Sequence, residues 1–350
     1  MLIRVSAITQ ALVLIFISLV GVLFLGYSAL ARFADSPAET AARTIPFTIP
    51  VGATTSNVAQ SLHEAGLIRS EVLFEVLVSR RGMDGQLRQG TFLLRSDMTL
   101  EEIIRAFSST QAVQQKVTFP EGWRIEEMAD RLSVQSDIDE SEFLRIARDR
   151  AAMFSGEFAF LEGLPEDQTL EGYLFPDTYR IDAATTAEDL IRRMLQRFGQ
   201  IFDVSLQEAA DGMEMSVHEV VTLASIVERE AVLDEERPLI AGVFHNRLAS
   251  DIPLQADPTV QYVIGRTESG GRWWKPDITR DDFATQSPYN TYVVDGLPPG
   301  PIAAPGLKSI QAVVKPDETP YLFFVARGDG SHAFAETNKE HELNMKQYLR

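Results

Sequence analysis

The 350-residue chain contains no cysteine, which excludes disulfide frameworks, thiolate zinc centres and cysteine nucleophiles together. The redox compartment stays open, because a domain of this size needs no covalent staples. Positive charge is also scarce: 32 Lys and Arg stand against 50 Asp and Glu, a formal charge of −18. No segment supplies the basic face needed to neutralise phosphates, so nucleic acid is not an expected partner. Neither a G-x-S-x-G elbow nor a P-loop or dinucleotide fingerprint occurs. His218-Glu219 is followed by Thr222 where the metalloprotease helix motif needs a second His, and the five His are scattered, so no metal and no cofactor is expected. What remains is carboxylate chemistry.

Ala11 to Leu30 reads ALVLIFISLVGVLFLGYSAL, without a charge, and as a helix would span about 30 Å of hydrocarbon. Ala29-Leu30-Ala31 has the form of a signal-cleavage site, but the apolar run is longer than an ordinary signal core, which favours an uncleaved anchor. The reading is a short N-terminus inside and an exported body, although charge alone sets the orientation poorly, with Arg4 on one side and Arg32 and Arg43 on the other. Residues 32–45 are small, polar and aperiodic, as in a linker.

Globular patterning begins at Pro46 and contains an internal echo. Thr48, Pro50, Gly52, Ala59 and Leu62 recur 70 positions later as Thr118, Pro120, Gly122, Ala129 and Leu132. Each copy reads as strand, Pro-Gly turn and amphipathic helix. Between the copies, Gly66 ends a helix, Ser70 caps a second one, Gly90–Leu94 reads as a strand, and Thr99 with Glu102 forms a capping box. Strand, helix, helix and strand over 46–95 resemble a LysM-like module, a fold associated with N-acetylglucosamine polymers, by analogy of fold alone. Residues 139–200 read as mostly helical around an aromatic loop or edge strand at Glu171–Tyr179. Met215–Leu248 is helical with Ser216 as cap, Tyr321–Ala326 is a buried strand, and His341–Leu349 is a closing helix.

The best chemical candidate is Ala224–Glu230, ASIVERE. Glu228 and Glu230 stand roughly 200° apart on a helix, so both cannot enter one cleft. Glu230 shares a face with Leu223, Ile226 and Val227; desolvation there would raise its pKa toward that of a general acid. Glu228 lies nearer Ala224 and Ser225, placed to orient a neighbour or pair with an arginine. A solvated, ion-paired helix face is the plain alternative. FHNRL at 244–248, LQADPTVQY at 254–262 and SPYNTY at 287–292 add amides and aromatics in turn-rich sequence, the groups from which sugar sites are made. They equally suit Asx-turns and core filling. Gly296–Gly306, GLPPGPIAAPG, cannot enter a sheet and is expected to wall a cleft or form a surface connection.

These segments, with Ser331-His332-Ala333-Phe334 and Asn338, resemble in this order the MltG/YceG-like endolytic murein transglycosylases, over about residues 45–350. The resemblance implies a single-pass inner-membrane enzyme with a periplasmic body that cuts nascent glycan strands between N-acetylmuramic acid and N-acetylglucosamine. It would leave 1,6-anhydromuramic ends, terminate strand elongation and meet peptidoglycan synthases near the membrane and in cell division. The family motif places the catalytic acid/base at Glu230, with Glu228 supporting or alternative. Gln255, Asp257, Tyr289, Asn290 and Tyr292 are expected to bind substrate. The expected architecture is α+β: anchor at 1–31, linker at 32–45, LysM-like subdomain at 46–115, connecting α/β region at 116–214 and mixed α/β catalytic domain at 215–350. A membrane-anchored wall-binding scaffold and a water-using glycosidase, with Asp257 or Glu228 as base, are the alternatives.

Overall fold

A computed structural model describes residues 43–349 apart from 51, 86, 109–114, 163, 165–167, 183–184 and 268–270. The expected anchor lies outside the described residues, among which no helix is long and apolar enough to cross a membrane. As expected, the described chain is α+β, with helices and three two-stranded sheets. It divides into two compact units: one comprises the chain up to Gln115 with Ile181–Ala184, and the other takes in Lys116–Arg180 and Thr185–Arg350. Residues on both sides of the expected boundary at 214/215 share the second unit.

In the first unit, strand β1 (Thr44–Ile49) starts two residues before the expected boundary at 46. Helices α1 (Thr55–Glu64) and α2 (Glu71–Arg80) follow, then strand β2 (Gly90–Arg95) and helix α3 (Leu100–Ser108). β1 and β2 pair antiparallel, Thr44 opposite Arg95 and Ile49 opposite Gly90. Two caps act as read: Ser70 accepts from the Leu73 N–H, and Thr99 exchanges bonds with Glu102; Thr54, not among the expected caps, also caps α1 by accepting from the Asn57 N–H. Alternate strand residues turn inward, and Phe47, Phe74 and Phe92 surround Phe107 at 5.9, 6.4 and 5.0 Å. These contacts close the core.

The echo is physical. β1 leads through Gly52 (φ 77°) into α1, and β3 (Gln115–Thr118) leads through Gly122 (φ 74°) into α4 (Ile125–Gln135). Both glycines adopt the left-handed conformation that a side chain disfavours. Ala59, Leu62, Ala129 and Leu132 are all buried.

α5 (Glu140–Asp149) follows α4; β4 (Thr178–Ile181) then pairs with β3, and the Thr118 and Thr178 hydroxyls bond at 2.8 Å. Next come α6 (Ala187–Ile201), α7 (Val204–Gly212) and α8 (Val217–Glu230). Every residue of α8 from Val220 to Val227 is buried. It packs against α7, α9 (Arg237–Ala249), α10 (Asp257–Ile264) and α12 (Leu307–Val314), the four-residue α11 (Arg280–Phe283) lying between the last two. A helix apolar all round belongs at the centre of its unit.

The helical pattern expected over 215–248 is two helices. The chain turns extended at Ala231 and restarts at Arg237, with Pro238 in the first turn of α9, where its missing N–H costs nothing. The C-terminal strand, too, is shorter than read, beginning at Phe323 as β5 (Phe323–Ala326) and pairing with β6 (His332–Ala335). The preceding carbonyls are taken by side chains of α9: Thr319 and Tyr321 accept from Asn246, and Leu322 from Arg247. Helix α13 (Asn338–Tyr348) closes the chain, capped by Thr337.

The Pro-rich segment is neither cleft wall nor surface connection where it meets α8. Residues 300–306 are buried. The Ile302 N–H donates to Ser225 Oγ at 3.0 Å, and Ala304 exchanges backbone bonds with Gly122 and Trp123. Opposite it sits Gly172 (φ 82°), where an added Cβ would lie 2.5 Å from Pro301 Cβ. Gly172→Ala therefore combines backbone strain with overpacking and should lower stability by about 2 kcal/mol or more; equilibrium denaturation checks this.

Candidate active site

Glu230 is the last residue of α8. Because the helix is locked on all sides, its C-terminal carboxyl is placed by core packing. The first backbone N–H of α10, that of Asp257, faces this carboxyl and favours its charged form. An acid at a helix N-terminus meets an unsatisfied donor and the positive end of the dipole. Burial nevertheless dominates. Together with the neighbouring Asp257 charge, it pushes the Glu230 pKa up to about 8, against the opposing pull of Arg247, Arg229 and the Asp257 N–H.

The turn that brings Asp257 here is braced from 290–292. Gln255 N–H donates to Thr291 O at 3.1 Å, and beneath the surface Ala256 N–H donates to Thr291 Oγ1 at 2.9 Å and the Thr259 and Thr291 hydroxyls bond at 2.9 Å. Gln255 adopts φ 49°, a conformation rarely held by a non-glycine residue and maintained here by its surroundings. Tyr292 O–H donates to Asp257 Oδ1 at 2.6 Å. Burial and that bond raise the tyrosine's pKa, keeping its proton in place. Arg247 donates to Pro253 O at 3.1 Å, Leu254 O at 2.7 Å and Leu322 O at 2.6 Å, tying α9 to both the turn and the β5 approach.

The result is a cleft of about 300 Å³ lined by Glu230, Gln255, Asp257, Tyr292 and Arg247, with Phe324, His332 and His341 opposite. Four of the expected site residues thus meet. Asn290 is fully buried and does not present its amide: it donates to Phe283 O at 3.0 Å and Thr285 O at 2.8 Å, and its Oδ1 accepts the Tyr292 N–H. Its role is to hold Tyr292. Tyr289 packs on Tyr262 at 5.1 Å, along α10 from its acidic end.

Glu228 points elsewhere. Its Oε2 accepts from Gly306 N–H at 3.0 Å and Ser309 Oγ at 2.7 Å, and its Oε1 lies 3.3 Å from Arg237. It fastens the N-terminus of α12 to α8, with both pair members nearly inaccessible. His332 and Arg247 were missed as cleft residues. FHNRL and SHAF marked their segments, but no spacing relates them to Glu230; His332 is fixed by Glu236, 96 residues away, at 2.7 Å. Among the described residues no cluster of His, Asp and Glu could hold a metal ion.

Two outcomes follow. Glu228→Ala removes the acceptor of the Gly306 N–H and Ser309 hydroxyl and one of the two carboxylates beside Arg237, with Asp234 remaining at 3.0 Å, and should cost about 2 kcal/mol in denaturant unfolding. The Glu230 carboxyl titrates near 4.5 when unfolded and about 8 when folded, so the native state holds a proton that the unfolded state releases between these values. Its stabilisation is complete below the lower value and lost as pH rises through the upper one. Glu230→Gln should therefore lose less melting temperature than wild type between about pH 5 and about pH 9 in thermal scans.

The family model of the YceG-like family matches residues 47–347. An endolytic murein transglycosylase of Bacillus subtilis is 32% identical over 315 residues, covering 87% of this chain and 85% of that protein. One from Streptococcus pneumoniae is 31% identical over 322 residues, covering 86% of this chain but only 58% of that longer protein. A crystal structure of a yceG-like protein from Listeria monocytogenes is similar in fold, with a TM-score of 0.58 and 30% identity over 87% of this chain and 99% of that one.

Proposed function

The chain belongs to the YceG-like family, and from that premise we propose that it is an endolytic murein transglycosylase, a lyase acting on peptidoglycan, with Glu230 as its single acid/base. The observation that carries the residue assignment is a carboxyl whose pKa is pushed up to about 8, opening on a cleft with polar walls. At neutral pH it is mostly protonated, as a general acid must be.

The reaction runs in two proton transfers. Protonated Glu230 donates to the glycosidic oxygen between N-acetylmuramic acid and N-acetylglucosamine as the C1–O bond breaks. The resulting carboxylate, stabilised by the Asp257 N–H and by Arg247, then takes the proton from the muramic 6-hydroxyl as that oxygen bonds to C1. The ring closes to the 1,6-anhydro product and the acid is regenerated, so no second carboxylate or water is required. Asp257, hydrogen-bonded by Tyr292, contributes negative charge beside the developing oxocarbenium ion. Gln255 is placed to bind hydroxyl or acetamido groups.

The rest of the reading follows from this activity. The βααβ part of the first unit serves as a LysM-like glycan holder, the apolar run at 11–30 anchors the chain in the inner membrane with the body in the periplasm, and strand release is coordinated with peptidoglycan synthases. The specific competitor is a hydrolase in which Asp257, which lines the same cleft as Glu230, activates water.

Incubation of wild type and Glu230→Gln with uncrosslinked glycan strands, read by mass spectrometry, decides. Anhydro ends from wild type and a loss of about 10³-fold or more in the variant are expected, with wild-type kcat/KM falling as pH rises through about 8. Reducing ends would establish hydrolysis. Glycan binding without cleavage by wild type would leave a scaffold, and full activity in the variant would remove Glu230 from the reaction.

A further inference from the structure

All three tryptophans of the chain gather away from the cleft, on one face of α4. Trp123 lies in the turn before that helix, and Trp273 and Trp274 lie in the segment after α10. None is in the buried core; each is half-buried. Their orientation is nonetheless fixed. Trp273 Nε1–H donates to Asp130 at 2.9 Å and Trp274 Nε1–H to Glu127 at 2.8 Å, one helical turn apart. Arg131 lies over Trp123 at 4.6 Å, Arg124 over Trp273 at 5.0 Å, and Arg229 over Trp274 at 3.9 Å.

Trp123 and Trp273 line a surface hollow of about 280 Å³, together with Glu127, Asp130, Arg131 and Gln135 and with exposed Val134 at its edge. Indoles held by hydrogen bonds and guanidinium groups, yet left half open, do not fill a core. We infer that this hollow is a second carbohydrate site, which takes a neutral N-acetylated sugar residue of the glycan strand at a distance from the cut; the identity of the strand rests on the proposed activity.

The chemistry selects that ligand. Aromatic faces suit the C–H face of a pyranose ring, the carboxylates accept from its hydroxyls, and Arg131 can donate to an acetamido carbonyl. A cationic ligand would meet guanidinium groups already placed on the indoles. An anionic polymer would meet Glu127 and Asp130, and an apolar helix would leave them unsatisfied.

Placement relative to the cleft supports the same reading. α10 has eight residues, about 12 Å of helix. Its first N–H faces Glu230. Near its other end the Tyr262 carbonyl accepts from Arg124 at 3.2 Å, and the Tyr262 ring lies 4.2 Å from that guanidinium. Arg229, stacked on Trp274, is the neighbour of Glu230 in sequence. One short helix therefore separates the tryptophan platform from the acid, so a strand held at the first would be presented in a defined register to the second.

The test is a binding titration of full-length Glu230→Gln with N-acetylglucosamine oligomers and uncrosslinked glycan strands, followed by tryptophan fluorescence and calorimetry. Added in that background, Trp273→Ala or Val134→Arg should each weaken strand binding about fivefold to tenfold, while Trp273→Phe retains part of the affinity. Val134→Arg fills the mouth of the hollow from an exposed helix position, so its fold is not at risk. Unchanged affinity in both Val134→Arg and Trp273→Ala overturns the site, as does a hollow that responds to a quaternary ammonium compound and not to sugar. Binding is read without turnover, so failure here leaves the Glu230 assignment standing, and an active Glu230→Gln enzyme would leave this site standing.

Discussion

The approach of the first backbone N–H of α10 to the carboxyl at the end of α8 is the contact around which the cleft is organised. It brings the C-terminus of one helix against the N-terminus of another at a side chain that burial would otherwise keep neutral. Two opposed demands meet there: desolvation favours the protonated acid, while the helix donor and Arg247 make its conjugate base tolerable. A group that must give up a proton and take another back needs both.

Holding that contact requires rigidity on each side. α8 is fixed by its neighbours and by Glu228, whose bonds to Gly306, Ser309 and Arg237 fasten the Pro-rich segment and α12 along it. α10 is fixed by the Thr259 and Thr291 pair and by Tyr292, which Asn290 holds in place. The two acids of the ERE run therefore divide the work by direction: one is consumed by structure, and the other is left facing the cleft.

The outer face of the unit follows a different principle. Around the tryptophans, aromatic surface is kept accessible and its edges are bound to carboxylates and guanidinium groups. Orientation is thus obtained without removing the rings from solvent. Core and platform use the same residue classes for opposite ends.

Much of this was legible in the chain itself. Capping boxes at Thr99 and Ser216, the glycine stops, the strand-turn-helix echo and the separation of Glu228 from Glu230 are local, set by 3.6-residue periodicity and side-chain competition for backbone donors. The α+β class and the assignment of Glu230 to an apolar face required nothing more. Tertiary structure alone decided which polar residues of the turn-rich segments open on the cleft. Asn290 and Tyr292 are two positions apart, yet one is sealed among carbonyls and the other meets Asp257. It decided as well that Arg247 and His332 join Glu230, and that three tryptophans share one face. Those choices depend on contacts between segments tens to more than a hundred residues apart, and the sequence periodicity that fixes a helix face carries no record of which distant segment will cover it.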